Sequence, residues 1–326
     1  MGVNLRDLIV THEIQWEELR GKSIAVDAMN TLYQFLTTIR QPDGTPLMDQ
    51  NGKITSHITG VFYRTVRVYE QGVKPAYVFD GKPPDLKGVE LERRGNSKRE
   101  AEEKWKAAKE AGDLQAAKKY ASMTSRFTEE MLADSKKLIE AMGIPIVQAP
   151  SEGEVQCAHM AKTGKVYATG SQDYDALVSG SPVLVKNMTM QEKFQLERIL
   201  LDKNLKALGI TQEQLVDIAI LIGTDFNKEG IKGIGPKKAI KIVKEGKFDE
   251  FKEQLEVDAD VLRKLFLEPE VTDDFELKWK SPNLEEIKKI LVDEHSFSEE
   301  RVERAGKRLN EAFNTAVTQS SLSQWF

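Results

Sequence analysis

Two acidic pairs with the same spacing stand in the middle of the sequence. Glu152 and Glu154 follow one short apolar run, and Asp173 and Asp175 follow another that has the pattern of a buried strand. The carboxyl ends of strands in α/β sheets form the edge at which ligands bind. Four carboxylates gathered at such an edge repel one another, and a divalent cation relieves that repulsion. The spacing therefore predicts a metal site.

An alternative is that these acids only begin the helices that follow them. Ser151 and Asp173 have side chains typical of helix N-caps, and acids in a first helical turn are stabilised by the helix dipole. For either pair alone this alternative is the better explanation. Because two pairs each follow a strand pattern, the metal site is favoured.

Three further acids end hydrophobic elements. Asp27 and Asp80 each end a strand pattern, and Asp225 follows a helix pattern over 212–223. A carboxylate set without His or Cys suits Mg²⁺ or Mn²⁺ rather than zinc. Seven acids exceed the needs of one Mg²⁺, so we expect two ions about 3.5–4 Å apart, which can activate a water and stabilise the leaving oxygen of a phosphodiester.

The elements that must position these acids alternate along the chain. Strand patterns at 23–27 and 75–80 enclose helix patterns at 28–40 and from Ser56 onward, with Ser56 as the expected N-cap. A strand at 182–187 is expected at an edge of the sheet. The alternation predicts an α/β fold with a parallel-rich central sheet flanked by helices.

Composition restricts the class of protein. The 326 residues carry a net charge of −5, which disfavours indiscriminate nucleic-acid binding but allows local basic surfaces. No apolar run is long enough to span a membrane, and we expect a cytoplasmic protein without a secretory signal. The one cysteine, Cys157, fits a reducing compartment and is expected to pack in the core. The four histidines have no metal-ligand spacing.

Residues 82–126 differ from the rest of the chain. This segment has twelve Lys or Arg against eight Asp or Glu, and its helical composition lacks a continuous apolar stripe. A helix that is polar all round bridges solvent or is ordered by a partner. A solvated hairpin without function is the commoner explanation of such runs. Because the segment is inserted between strands that end in an acid, we favour an arch over about 82–128 that contacts the substrate.

Residues 230–243, G-I-K-G-I-G-P-K-K-A-I-K-I-V, form the most specific local motif. Its glycines allow close backbone approach, and Pro236 fits the first position of a helix. The amides from Gly233 to Gly235 can then point at a phosphate, supported by the helix dipole. This pattern predicts a helix–hairpin–helix over about 213–245 that grips the DNA backbone, with a plain glycine-rich connection as the alternative. The lysines that add charge are Lys232, Lys237, Lys238 and Lys241.

The chain ends in the tail Q-S-S-L-S-Q-W-F, residues 319–326. Two aromatic residues at the end of a polar tail cannot easily pack into the core of the same protein. The residues alone favour equally a tail packed on the protein's own surface and a motif that anchors in a partner's pocket.

Six stretches together resemble one family over essentially the whole chain. The sequence is similar to archaeal-type flap endonucleases of the structure-specific 5′-nuclease superfamily. The stretches are V-D-A-M-N-T-L-Y-Q-F, Y-V-F-D-G-K-P-P-D-L-K, A-P-S-E-G-E, S-Q-D-Y-D-A-L, I-G-T-D-F and G-I-K-G-I-G-P-K-K. The resemblance implies an Mg²⁺-dependent enzyme of DNA replication and repair, with 5′-flap endonuclease and 5′–3′ exonuclease activity. It also implies that all seven acids bind two Mg²⁺ ions, for which Mn²⁺ substitutes.

The resemblance assigns further roles. Lys87 and Arg94 match residues that reach the scissile phosphate, and Tyr33 matches an aromatic that stacks on a nucleotide, although its spacing also fits the core. Gly2 resembles a processed N-terminus beside the site. The family places a monovalent cation such as K⁺ at carbonyls near Ile231 and Ile234. The tail matches a sliding-clamp binding motif at Gln319, Leu322, Trp325 and Phe326.

We therefore expect a monomer with one nuclease domain at 1–318 and a clamp-binding tail at 319–326. Its expected substrates are branched DNA molecules such as 5′ flaps and nicked duplexes. Gly95 and Asn96 depart from the family's helical arch, so either its first helix ends there or the arch is poorly ordered without DNA. A metal-dependent ribonuclease or phosphatase is one alternative. A non-catalytic, clamp-bound DNA scaffold is another, which the intact acids oppose because they repel DNA.

Overall fold

A computed structural model describes residues 2–82, 99–108, 110–113, 115–116, 120, 127–191 and 194–322. A seven-stranded sheet runs through the middle of the molecule in the order β1-β7-β6-β5-β2-β3-β4. The strands are β1 (His12–Ile14), β2 (Ser23–Asp27), β3 (Lys74–Phe79), β4 (Ile146–Gln148), β5 (Ala168–Gly170), β6 (Val183–Lys186) and β7 (Leu196–Leu200).

The sheet is mixed but mainly parallel, as predicted. Strands β6, β5, β2, β3 and β4 pair in parallel, whereas β7 is antiparallel to both β6 and β1. The expectation that the strand at 182–187 lies at an edge is wrong, because β7 and β1 continue the sheet beyond β6. The order reverses at β2, since β3 and β4 lie on one side of it and β5 and β6 on the other.

Helices cover both faces of this sheet. They are α1 (Ala28–Thr38), α2 (Ser56–Glu70), α3 (Glu129–Ala141), α4 (Gly153–Lys162), α5 (Asp175–Val178), α6 (Leu201–Leu208), α7 (Gln212–Ile222), α8 (Pro236–Lys244), α9 (Ala259–Leu267), α10 (Leu284–Lys288) and α11 (Glu299–Leu322). Residues 99–108, within the predicted arch, are also helical. In the part of the chain described, no helix combines the length and apolar character that a membrane span requires.

Alternate residues of the central strands enter different cores, as the pleat of a strand requires. Ile24 and Val26 of β2 pack with α1, α2 and α3, whereas Ala25 between them packs with Cys157 and Met160 of α4. A separate core joins β6 and β7 to α7, α8 and α9. The central strands are therefore buried on both faces, which fits their short apolar sequences.

The start of α2 differs from the expectation. Ser56 is the first helical residue rather than the N-cap, and its hydroxyl donates to Ile39 O at 2.6 Å and accepts from Leu47 N at 2.9 Å. The side chain thus fastens the loop between α1 and α2 instead of capping the helix. A side-chain cap with the capping-box pattern is present at α7, where Thr211 accepts from Gln214 N.

Candidate metal centre and DNA interface

Six of the seven predicted acids lie where neighbouring parallel strands end. Strands β5, β2, β3 and β4 are adjacent and parallel, so their carboxyl ends meet at one edge of the sheet. The acids that follow those ends are Asp27 at β2, Asp80 at β3, Glu152 and Glu154 at β4, and Asp173 and Asp175 at β5. The edge includes the point where the strand order reverses, which is the usual ligand site of such sheets.

Asn30 joins two of these acids across the reversal point. Its backbone N–H donates to Asp27 Oδ1 at 3.0 Å, so Asp27 is the N-cap of α1. Its side-chain amide donates to Asp173 Oδ2 at 2.6 Å. Because each carboxylate keeps an oxygen outside these bonds, Asn30 fixes both side chains without removing their capacity to bind a cation.

Asp80 is held by the start of α4. Its Oδ1 accepts from Gly153 N at 2.8 Å, between the two glutamates of the first acidic pair. Ser151 and Asp173 do not cap these helices, because the N-cap residues are Glu152 and Tyr174 and neither side chain accepts a capping hydrogen bond. Glu154 and Asp175 do lie in the first turns of α4 and α5, as the same alternative expected. Capping does occur at this edge, but Asp80 provides it from a neighbouring strand.

Asp175 is a buried acid whose ionisation is shifted by its surroundings. Only 4% of it is exposed, and it accepts from Val3 N at 3.0 Å. Burial raises the pKa of its carboxyl to about 7; the hydrogen bond from Val3 opposes this rise, and the charges of Asp173 and Asp225 add to it. Asp225, in the loop after α7, is thereby placed close to the second acidic pair. A cation at this position relieves the same repulsion.

Cys157 lies beneath the other side of the acid cluster. It is fully buried on α4, as the sequence predicted. Burial raises the pKa of its thiol, and the charges of Asp27, Glu154 and Asp80 raise it further. Each of these three acids therefore lies near the thiol, and the neutral thiol is not a competing metal ligand.

The donor set fits a hard divalent cation. The cluster consists of carboxylates, which Mg²⁺ and Mn²⁺ prefer, and their mutual repulsion favours an ion that neutralises them. Over the residues that the structure describes, no three His, Cys, Asp or Glu side chains form a group that could hold a metal ion. An ion at this edge would therefore need waters or substrate oxygens to complete its coordination, as is usual for Mg²⁺.

The N-terminus lies against this cluster. A Cβ atom on residue 2 would collide with Asp175 Oδ2 and would stand 3.1 Å from Asp173 Cβ, so a larger residue at position 2 would displace the Asp175 carboxylate. Val3, the next residue, is buried and donates to Asp175. The position beside the site that the family resemblance assigns to Gly2 agrees with this geometry.

The structure describes the predicted stacking residue but not the two residues that are predicted to contact the scissile phosphate. Lys87 and Arg94 lie outside the described residues. Tyr33 is on α1, half-buried, with its ring 5.8 Å from that of Phe127. It is therefore neither fully buried nor fully exposed, and its stacking on a nucleotide stays a prediction.

The glycine motif forms a hairpin between α7 and α8. Pro236 is the first residue of α8, and Ile231 and Ile234 are buried and hold the hairpin on the core. Gly233 and Gly235 have open space on their side-chain side, which leaves room for a phosphate to approach the backbone. The exposed lysines around the hairpin are Lys232, Lys237, Lys238 and Lys241. Ile231 O accepts from Ile234 N at 3.0 Å.

An ion pair behind the hairpin has no signal in the sequence. Arg263 of α9 donates to both oxygens of Asp217 on α7, at 2.6 and 2.9 Å, and its guanidinium lies 4.5 Å from the centre of the Phe248 ring. Asp217 is buried, whereas the Arg263 side chain is 28% exposed. The pair fixes the first helix of the hairpin against α9.

Replacing Arg263 with alanine should lower the free energy of unfolding by about 3 kcal/mol, because it leaves the buried Asp217 carboxylate unpaired. Urea denaturation measures the change. Arg304→Ala is the matched control, since Arg304 pairs with Glu300 at the surface and should contribute less than about 1 kcal/mol. Equal losses in the two variants would mean that the Asp217 pair has no special role.

The C-terminal helix extends into the predicted tail. Helix α11 continues through Gln319 to Leu322. The first half of the predicted clamp motif thus has helical backbone. Trp325 and Phe326 lie beyond the part of the chain that is described.

Sequence reasoning did not find Asn30 or Val3 as parts of the site. Asn30 stands three residues after Asp27, within a stretch that carries the family resemblance, and this spacing is the one available signal. The contact of Val3 with Asp175 spans 172 residues and has no local signature.

Comparison with known proteins gives consistent results. Two family models match the sequence, the XPG N-terminal domain over residues 1–101 and the XPG I-region over residues 143–225. Flap endonuclease 1 of Thermococcus onnurineus is 52% identical over 339 aligned residues, covering 100% of this chain and 99% of that protein. The corresponding protein of Pyrococcus furiosus is 51% identical with the same coverage. The solved structure of flap endonuclease-1 from Methanococcus jannaschii matches with a TM-score of 0.82 at 44% identity, covering 96% of this chain and 99% of that chain.

Proposed function

This chain belongs to the flap endonuclease 1 family, and we propose that it cuts 5′ DNA flaps at the junction of single and double strand by metal-dependent hydrolysis. The observation that carries the proposal is the convergence of the acids at the carboxyl edge of four parallel strands. The same active centre should remove nucleotides from a 5′ end in an exonuclease mode. Its substrates are branched DNA molecules, such as 5′ flaps and nicked duplexes.

Each structural contact at the edge has a role in this chemistry. Two Mg²⁺ ions, or Mn²⁺ in their place, would activate a water and stabilise the leaving oxygen. Asn30 orients Asp27 and Asp173 as ligands, and Gly153 N orients Asp80. Rigid carboxylates need little reorganisation when charge develops in the transition state.

The hairpin and the arch hold the DNA. The open backbone at Gly233 and Gly235 and the surrounding lysines grip a phosphate backbone without reading bases. Lys87 and Arg94 on the arch offset negative charge on the scissile phosphate, and Tyr33 stacks on the adjacent nucleotide. The hairpin carbonyls near Ile231 and Ile234 are the proposed K⁺ site. Water is the nucleophile, and no covalent enzyme intermediate is required.

One cleavage assay tests the proposed function. A labelled 5′-flap duplex, incubated with and without Mg²⁺, should yield a flap product in the presence of the ion alone. Single-stranded RNA and a phosphomonoester serve as competing substrates for the ribonuclease and phosphatase alternatives. Preference for either over the flap would overturn the proposal, and absence of any Mg²⁺-dependent turnover would favour the scaffold alternative.

The tail is proposed to bind a sliding clamp, with the enzyme acting as a cytoplasmic monomer. Replacing both Trp325 and Phe326 with alanine should weaken clamp binding more than about tenfold, because buried aromatic anchors typically cost about 2 kcal/mol or more on truncation. Isothermal calorimetry measures the affinity, and flap cleavage without the clamp should stay the same. A melting temperature lowered by many degrees with clamp affinity intact would show that the aromatics pack on this chain instead.

A further inference from the structure

The side chain of Gln148, the last residue of β4, reaches across to the segment that carries Asp80. Its amide nitrogen donates to Asp80 O at 2.7 Å and lies 3.3 Å from Phe79 O and 3.4 Å from Ala149 O. The bond to Asp80 O is the shortest of the three and lies just beyond the end of β3. The Gln148 side chain therefore extends the contact between β3 and β4 to the main chain of a proposed metal ligand.

Lys136 of α3 fixes the orientation of this amide. Its ammonium group donates to Gln148 Oε1 at 2.8 Å and lies 4.7 Å from the centre of the Phe79 ring. Because an ammonium group only donates hydrogen bonds, the amide oxygen must face Lys136 and the NH₂ group must face the backbone carbonyls. The ring attracts the cation and helps to keep it in place. Gln148 is thus fixed at both ends of its amide, although the residue is exposed.

Asp80 is held through both its main chain and its side chain. Gln148 holds its carbonyl, and Gly153 N holds Oδ1 of its carboxylate. With these two points fixed, the protein sets the direction of the whole carboxylate before any ion binds. Replacement of side chains that orient metal ligands typically costs about 10–100-fold in metal affinity or activity.

The residue after Asp80 is in direct backbone contact with the loop that follows β4. Gly81 N donates to Ser151 O at 2.6 Å. A Cβ atom on residue 81 would lie 2.4 Å from Pro150 O, so the two segments have no free space between them. Glu152 is the next residue of that loop. A shift of the Asp80 main chain would therefore also move the loop that carries Glu152.

We propose that Gln148 is a positioning residue of the metal centre, and that Lys136 sets the orientation of its amide. Gln148 acts through Asp80, because it holds the main chain of this acid, and with it the adjoining loop, in the arrangement that binds the ion. This inference rests on the proposed function, because it takes the acid cluster as the metal site.

Replacing Gln148 with methionine tests this role, because methionine has a similar length but cannot donate to Asp80 O. Electron paramagnetic resonance measures Mn²⁺ binding to the protein without DNA, and single-turnover flap cleavage is measured over a range of Mg²⁺ concentrations. Gln148→Met should weaken Mn²⁺ binding about tenfold. Its cleavage should be slow at low Mg²⁺ and approach the wild-type rate at saturating Mg²⁺. Its melting temperature in chelator should change little, since Gln148 is exposed.

Variants of Lys136 separate positioning from electrostatic attraction. On charge alone, loss of a cation near the acids should strengthen Mn²⁺ binding, whereas loss of the contact with Gln148 Oε1 should weaken it. We expect weaker Mn²⁺ binding in Lys136→Met. Lys136→Arg keeps both a charge and a donor and should bind Mn²⁺ like the wild type. Tighter Mn²⁺ binding by Lys136→Met would overturn the role of Lys136.

Asn204→Leu is the matched control for loss of an amide that holds backbone carbonyls. The Asn204 amide donates to Val10 O at 3.1 Å and to Leu200 O at 3.0 Å. It lies at the opposite edge of the sheet from the acids, because α6 follows the end of the antiparallel strand β7. The variant should melt at a lower temperature, since it leaves buried backbone groups unpaired, and should keep its Mn²⁺ affinity.

Unchanged Mn²⁺ binding in Gln148→Met, or a loss that Asn204→Leu equals, would overturn the positioning role. Failure of the wild-type protein to bind Mn²⁺ and to cut a flap would instead overturn the proposed function, so the two results are separable.

Discussion

Replacing Asp175 with alanine should lower the rate of flap cleavage by about 10³-fold. A bound metal contributes several kcal/mol to stabilisation of a transition state, and each ~1.4 kcal/mol corresponds to a factor of ten in rate. Asp175 is buried, is held by Val3 N and lies close to Asp173 and Asp225, so its replacement removes a fixed carboxylate from the proposed metal site. Single-turnover cleavage in Mg²⁺ measures the loss.

Flap-DNA affinity should be largely retained in the same variant, because the hairpin that is proposed to grip the DNA backbone is a separate element. Asp202→Ala is the control for the loss of an acid, since Asp202 is an exposed residue of α6 that pairs with Lys206. Cleavage by Asp175→Ala at a rate close to that of Asp202→Ala would remove Asp175 from the metal site. Parallel loss of binding and cleavage would indicate that the carboxylate has a structural role.

Gly2→Ala should lower cleavage by about 10²-fold with little change in stability. The added methyl group collides with Asp175 Oδ2, and the end of a side chain moves at low cost to folding. Movement of a ligand by about 1 Å from its productive position can nevertheless reduce a rate by about 10²-fold. Cleavage rates and thermal melts of the same preparation, with removal of Met1 checked by mass spectrometry, separate the two effects.

Asn4→Ala is the control for altering the N-terminal segment. Asn4 is exposed, and its side chain accepts a hydrogen bond only from the nearby Arg6 N among the contacts described, so cleavage should not change. If Gly2→Ala cuts as fast as Asn4→Ala, then Asp175 has room to move and the close fit at Gly2 is not required for activity. A raised Mn²⁺ requirement in Gly2→Ala alone would support displacement of a metal ligand.

The central strands and the acids could be predicted because their signals are local. β2 and β3 are continuous apolar runs that end in an acid, and a parallel sheet brings such ends together whatever the length of chain between them. The hairpin was predictable for the same reason, since glycine, proline and lysine define its backbone within a few residues.

The outer strands could not be predicted, because their sequences contain charged residues. β1 reads H-E-I and β7 reads L-E-R-I-L, and these strands are specified by their pairing with each other and with β6. Two contacts between distant parts of the chain also had no signal in the sequence. The bond from Asn30 to Asp173 joins residues 143 positions apart, and the Asp217–Arg263 pair joins two helices that carry no shared motif.

The hydrogen bonds that Asn30 N donates to Asp27 and Gly153 N donates to Asp80 offset part of the repulsion among the acids before any ion binds. The amino ends of α1 and α4 carry partial positive charge, so each helix acts as a permanent counter-ion for one acid. Folding and ion loading are thereby decoupled, because part of the repulsion is already offset in the ion-free chain. The proposed Mg²⁺ ions would then exchange at the sheet edge without a refolding step.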